Sequence, residues 1–270
     1  LVRIADFDTD RNVLVVAEIG NNHEGDIALA EDLIGLAADA GADAVKFQAI
    51  IPERLASPQD AARIQQLGRF RFSPEQFAHL AGISDQNDVL FLCTPFAIDA
   101  VHFLAPLVPA YKIASSDNDF YPMIDAIAET GKPILVSAGL TDLAGIRRTK
   151  DHIETRWRSA GVEQDLAILH CVSSYPTPRQ EANLLAIREL HRLGVTVGYS
   201  DHTTGIEAAV LSVAVGARIV EKHFTLDKNY SDFRDHQLSA DPPEFSEMVR
   251  RVREASEMLG GEGKPLADCE

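Results

Sequence analysis

Cysteine is nearly missing from this chain of 270 residues. The three present, Cys93, Cys171 and Cys269, have no regular spacing and form no CxxC pair, so neither a disulfide framework nor a cysteine-built metal clip is expected. Long apolar runs are also absent: none reaches the ~18 residues that a membrane-spanning helix needs. The N-terminal "LVRIADFDTDRNVLVVAEIG" sets acidic residues ahead of a short apolar stretch, the reverse of a secretory signal. Neither secretion nor membrane insertion is expected, and a reducing, cytoplasmic setting is. Positive charge is the third shortage. Lys and Arg number 25 against 41 Asp and Glu, for a net charge of −16, so the surface repels nucleic-acid phosphates and anionic lipid. The expected partner is a small molecule. An anionic one remains in play, because an acidic protein can still focus a few cations in one cleft. No linker, low-complexity tract or charge run marks a second domain.

What the chain does contain is alternation. Short apolar runs rich in β-branched residues alternate with segments of helical period. The runs are 13–20, 44–49, 89–95, 110–116, 133–139, 166–174, 195–200 and 218–226, each apolar enough to be buried on both faces. Between them, segments such as "DIALAEDLIGLAADAG" and "PPEFSEMVRRVREASEMLGG" space apolar residues by three and four, opening on Asp, Ser or Pro and closing on Gly. Eight such pairs in roughly 250 residues predict an α/β fold, a single (β/α)8 TIM barrel covering 1–270. A doubly wound open sheet is the runner-up, but the first turn, "EIGNNHEGD", lacks the GxGxxG fingerprint. The insertion "IIPERLASPQDAARIQQLGRFRF" predicts a loop with a helical turn beside the barrel mouth.

In a barrel the carboxyl ends of the strands share one face. Polar residues gather at those ends: Glu18 with Asn21, Asn22 and His23; Lys46 with Gln48; Thr94; Lys112 with Ser115 and Ser116; Ser137; His170 with Ser173 and Tyr175; Ser200, Asp201 and His202; Glu221, Lys222 and His223. Strand alternation aims Lys46 with Gln48, Ser200 with His202, and Glu221 with His223 the same way, while Phe47, Asp201 and Lys222 point elsewhere. Two lysines in apolar strands, with hydroxyls around them, suit a phosphate or carboxylate. His202 and His223, at equal heights on neighbouring strands, are candidate ligands for Mn²⁺, Fe²⁺ or Zn²⁺ with open positions. Taken singly, each residue has a plainer reading. A strand-end His is more often a capping or satisfied core residue, Thr203 and Thr204 suit the cap of a helix starting near Gly205, and Glu18–Lys46 or Glu221–Lys112 can be ion pairs that hold the barrel. The shared placement on one face is what those readings leave unexplained.

The stretches "AEIGNNHEGD", "AGADAVKFQ", "CTPF", "AYKIAS", "TGKPILVSAG", "HCVSSYPTP", "GYSDHTTGIEAA" and "EKHFTLDK" resemble the sialic acid synthase family, which includes N-acetylneuraminate synthases and legionaminic, pseudaminic and spore-coat polysaccharide relatives. The resemblance runs in order from about residue 12 to 260 and implies the same barrel. It also implies condensation of phosphoenolpyruvate with the open-chain aldehyde of an N-acylated amino sugar, yielding a nine-carbon 2-keto sugar acid and phosphate. On that resemblance His202 and His223 hold Mn²⁺ or Mg²⁺, and Lys46, Thr94, Lys112, Ser115, Ser137 and Ser200 cradle phosphoenolpyruvate. Glu18 is the acid/base, Gln48 and Glu221 order water and intermediate, and Ser173, Tyr175 and Asp235 face the sugar. A homodimer is implied as well. Three departures accompany it: "VSAGL" stands where Ser-Thr-Gly-Met is usual, no Gly-Pro precedes Asp235, and the family's C-terminal antifreeze-like domain has no counterpart up to Glu270. The alternatives are another metal-dependent aldolase or hydrolase on the same barrel, and a non-catalytic ligand-binding paralogue.

Overall fold

The computed structural model describes residues 1–261 and 263; Cys269 lies outside them. Eight parallel strands close into a barrel: β1 Leu14–Gly20, β2 Ala44–Ala49, β3 Leu90–Pro95, β4 Tyr111–Ile113, β5 Ile134–Ser137, β6 Leu166–Cys171, β7 Thr196–Asp201 and β8 Ile219–His223, the last paired back to β1. The expected TIM barrel is therefore the observed one. β4, β5, β6 and β8 stop sooner than the apolar runs suggest. Their Ser- and Thr-bearing ends leave the ladder and turn over the barrel mouth, as at Ser115–Asp117, which forms a 3₁₀ turn.

The outer helices are α1 Ile27–Asp39, α2 Pro74–Gln86, α3 Ile98–Leu104, α4 Tyr121–Ala128, α5 Leu143–Ala160, α6 Ala186–His191, α7 Glu207–Ala214 and α8 Pro242–Leu259. Four of the longest start where a side chain takes up orphan N–H groups: Asp26 before α1, Ser73 in a capping box with Gln76 before α2, Asp142 before α5 and Asp241 before α8. α7 is different. Its N-cap is Ile206, with no side-chain bond, so Thr203 and Thr204 do not cap it. The turn runs past Gly205 before helical geometry begins, which puts the first helical N–H groups out of reach of both hydroxyls. No helix among the described residues is long and apolar enough to cross a membrane.

Two apolar layers follow from strand alternation. Outward residues such as Val15, Val45, Phe47, Phe91, Tyr111 and Val220 pack under the helices. Inward residues Leu14, Val16, Ala44, Leu92, Leu135, Leu169 and Ile219 fill the lower barrel. The N-terminal ribbon, Arg3–Ile4 paired with Phe7–Asp8, closes the barrel floor by sending fully buried Val2 and Ile4 into that inner cluster. Burying those two side chains contributes roughly 3–6 kcal/mol. The insertion after β2 holds more helix than expected, Pro52–Leu55 and Ala61–Gly68, and stands beside the mouth as predicted.

Candidate active site

Along several strands the inward side chains change from aliphatic to polar in a single two-residue step: Val16 to Glu18, Ala44 to Lys46, Leu92 to Thr94, Ala110 to Lys112, Leu135 to Ser137 and Ile219 to Glu221. The apolar floor therefore ends under a polar cavity of about 1270 Å³ at the carboxyl ends of the strands. Each of the candidate residues Glu18, Lys46, Gln48, Thr94, Lys112, Ser115, Ser137, Ser173, Tyr175, Ser200, His202, Glu221, His223 and Asp235 lines it.

A continuous polar chain joins the deepest of them. Asn21 donates to Gln48 Oε1 (2.9 Å), Gln48 donates to Glu18 Oε1 (2.7 Å), and Lys46 Nζ lies 2.6 Å from Glu18 Oε2 while donating to Thr94 (3.1 Å). Glu221 bridges the two lysines, with Lys46 at 3.7 Å and Lys112 at 3.8 Å. Lys112 donates to Ser137 (2.5 Å), which meets the Ser200 hydroxyl at 3.0 Å. Gly20 makes room for this. At φ +55°, where the β1–β2 register shifts, a Cβ would come within 3.1 Å of both Glu18 Oε1 and Gln48 Nε2.

Burial resists the ionisation of both carboxyls, and the flanking lysines set them apart. Desolvation dominates at Glu18 and raises its pKa, with Lys46 opposing and the Glu221 charge adding to the rise. At Glu221 burial also resists ionisation, but Lys112 and Lys46 together outweigh it and hold the carboxylate down to about 2. Glu18 is thus the group that can carry a proton, and Glu221 is the permanent anion between two ammonium groups. Burial lowers Lys112, whereas Lys46 is raised because Glu18 and Glu221 overcome the same burial.

The other wall is built from loops. Ser115 Oγ accepts the Gly139 N–H at 3.1 Å, and a side chain at 139 would come 2.4 Å from Ser173 Oγ and 2.6 Å from Ser115 Oγ, so only glycine leaves both hydroxyls free. Buried Ser173 Oγ has no hydrogen-bond partner. Tyr175 lies over His202, ring centroids 4.1 Å apart, and the Arg234 guanidinium stands 5.4 Å from the Tyr175 ring centroid. Asp235 Oδ1 is buried 3.5 Å from Arg234 Nε and accepts no hydrogen bond. On the insertion, Phe70 packs against Phe233 at 5.0 Å, and Arg63 and Arg69 stand on the cavity wall.

His202 and His223 come together with ring centroids 5.5 Å apart. His202 Nδ1 donates to the Val172 carbonyl at 2.8 Å, which leaves Nε2 without a protein partner, an orientation common in metal-binding histidines; burial lowers the His202 pKa, but Cys171 and the Val172 carbonyl outweigh it and raise it. His223 Nδ1 is buried without a partner, and burial lowers the His223 pKa to about 3, keeping the ring neutral. Two imidazoles, each with a nitrogen that no protein group claims, fit a divalent ion whose remaining positions are filled by water or substrate, with binding favoured by the deprotonated form of His202. Among the described residues no cluster of three His, Cys, Asp or Glu side chains is arranged to hold a metal, and His202 and His223 are the candidate pair.

Other strand-end polar residues serve the scaffold. Asn22 Nδ2 donates to the Phe224 carbonyl and to Ser239, His23 stacks on Phe72 at 4.2 Å, and outward-pointing His170 reaches the Ala182 carbonyl at 2.8 Å. Cys171, which the sequence reading passed over, lines the cavity. Parity along β6 would have found it, since it lies two residues after inward-facing Leu169 and His170 has the opposite parity.

Comparison with known proteins agrees with this architecture. The NeuB family profile matches residues 33–264. An uncharacterized protein of Methanocaldococcus jannaschii is 42% identical over 255 residues, covering 93% of this chain and 74% of its own length. The N,N'-diacetyllegionaminic acid synthase of Campylobacter jejuni is 33% identical over 265 residues, covering 93% and 78%. Among solved structures, the N-acetylneuraminic acid (sialic acid) synthetase of Leptospira borgpetersenii, in complex with citrate, superposes with a TM-score of 0.92 at 31% identity, covering 99% of this chain and 93% of that one. This chain belongs to the NeuB family and is related throughout its barrel to synthases of sialic-acid-type sugar acids.

Proposed function

We propose that the protein condenses phosphoenolpyruvate with the aldehyde of an N-acylated amino sugar, forming a nine-carbon 2-keto sugar acid and releasing phosphate. The observation that carries this reading is the enclosure of Lys46 and Lys112, with the hydroxyls of Thr94, Ser137 and Ser200, in the same cavity as the paired His202 and His223.

Lys46 and Lys112 bind the phosphate and carboxylate of phosphoenolpyruvate, exchanging part of their contact with Glu221 for the ligand. Ser115, Ser137 and Ser200 add hydroxyl donors on the Lys112 side. Held this way, the enol carbon faces the sugar and forms the new carbon–carbon bond to the aldehyde carbon, whose oxygen becomes a hydroxyl on gaining a proton. Water adds at the carbon bearing phosphate, and the bridging oxygen departs with phosphate, leaving the ketone. Glu18, aimed by Gln48 and raised by burial, exchanges the proton that these steps require. Glu221 stays anionic and offsets the positive charge that builds up opposite it on carbon. Ser173, Tyr175 and Asp235 hold the sugar, and the two unpartnered oxygens among them fit its hydroxyls. A divalent ion held by His202 and His223, Mn²⁺ or Mg²⁺, would act as a Lewis acid on the aldehyde carbonyl.

The test is incubation with Mn²⁺, phosphoenolpyruvate and each of a panel of N-acyl amino sugars. Sugar-dependent phosphate release supports the reading. Product that keeps the phosphate, or turnover without phosphoenolpyruvate, replaces it with an aldolase on the same barrel.

A further inference from the structure

Lys222 is completely enclosed, and so is the side chain of Asp201 that it meets. Both stand on the outward faces of β8 and β7, between the barrel and its helices, away from the cavity. Lys222 Nζ reaches Asp201 Oδ2 at 3.1 Å and also donates to the Thr203 carbonyl. Asp201 Oδ1 in turn accepts the Thr203 N–H at 2.8 Å and the Tyr199 hydroxyl at 3.3 Å. Two well-packed apolar residues could fill this space without the desolvation penalty of an ion pair. The pair therefore calls for an explanation in the geometry that it imposes.

That geometry concerns the strand ends. The ladder between β7 and β8 finishes with Lys222 opposite Asp201, and His202 and His223 stand one residue beyond it. Past that point the two histidines are held from opposite sides. The His202 carbonyl accepts from Thr177 at 2.9 Å and its ring donates to Val172, both on the β6 side. His223 pairs with Glu18 of β1, and its carbonyl accepts from Ala240 at 2.8 Å. The bridge from Lys222 to Asp201 and Thr203 spans the gap that the ladder leaves between these two groups.

We propose that Lys222 and Asp201 are positioning residues that fix the spacing of His202 and His223 for a divalent ion, an inference that rests on the metal-site reading of those histidines. The test is Mn²⁺ titration, followed by electron paramagnetic resonance, of the full chain and of Asp201→Asn with Lys222→Met. This double variant removes both charges and keeps an amide oxygen for the Thr203 N–H. The expected result is an unchanged circular dichroism spectrum with Mn²⁺ affinity lowered roughly 10–100-fold, the range for groups that orient metal ligands. Lys222→Gln, which keeps a donor toward Thr203, recovers part of the affinity. Equal affinity in parent and folded double variant overturns the proposal and leaves the metal site standing. A parent that binds no Mn²⁺ removes the metal site and the proposal together. Loss of folding in both variants assigns the pair to the fold and also overturns it.

Discussion

Replacing Lys46 with methionine removes the one cation paired with Glu18 among the described residues. The substitution keeps the apolar stem and leaves two buried carboxyls with Lys112 as their nearest ammonium, 3.8 Å from Glu221. Breaking a buried pair by deleting one partner costs about 3–5 kcal/mol. Glu18 has an escape, because its pKa is already raised by burial and losing Lys46 raises it further, so the carboxyl takes up a proton. A carboxyl protonated in the folded chain and ionised in the unfolded one makes stability fall as pH rises, by about 1.4 kcal/mol per unit. Lowering the pH from 8 to 5 should therefore return part of the loss, because the carboxyl is raised further in the variant than in the parent. Urea denaturation of parent and variant at both pH values measures the difference, and adding Glu18→Gln should restore most of the stability and flatten the pH dependence. A loss of the same size at both pH values would refute the reasoning, since it would mean that packing rather than an unpaired carboxyl sets the cost.

Other expectations follow from the same geometry. His202→Ala and His223→Ala should each abolish sugar-dependent phosphate release, a drop of at least roughly 100-fold, with the fold intact by circular dichroism; full activity in either contradicts the metal assignment. Acid should destabilise the parent through His23, whose pKa burial lowers to about 4. The unfolded chain takes up that proton from about pH 6.5 down, so the stability held above 6.5 is lost as pH falls toward 4, up to about 3 kcal/mol. Thermal melts across that range should fall less steeply for His23→Asn than for the parent. Gly139→Ala, whose Cβ would meet Ser173 and Ser115 hydroxyls at 2.4 and 2.6 Å, should raise the KM for phosphoenolpyruvate by roughly tenfold through displaced Ser115, with little change in melting temperature; an unaltered KM would show that the two hydroxyls move aside freely.

Much of this site was legible in the sequence because strand parity carries it. Lys46 with Gln48, Ser200 with His202, and Glu221 with His223 do share the inward face, while Phe47, Asp201 and Lys222 face out. At β6 the same rule selects Cys171 for the cavity rather than His170. Interactions with little local signature stayed hidden. The ribbon Arg3–Ile4 with Phe7–Asp8 is too short to show a period, and its role depends on Val2 meeting Thr196 across the barrel floor at 2.6 Å. Strand alternation turns Asp201 away from the mouth, and only the structure shows that it pairs with Lys222, 21 residues later. Thr203 suits a helix cap because Ser, Thr and Asp after a strand usually are caps, but the helix begins only at Glu207 with Ile206 as its N-cap, beyond the reach of the Thr203 hydroxyl. The insertion after β2 gave no tertiary clue that Phe70 would meet Phe233 and wall in the cavity.

The central claim is that this cavity joins phosphoenolpyruvate to a sugar aldehyde with loss of phosphate. Phosphoenolpyruvate labelled with ¹⁸O at the bridging position, incubated with Mn²⁺ and the acceptor sugar that turns over, tests it most directly by mass spectrometry of both products. The expected products are labelled phosphate, released only when sugar is present, and an unlabelled keto acid. Label retained in the keto acid, or phosphate released without sugar at the same rate, would contradict it.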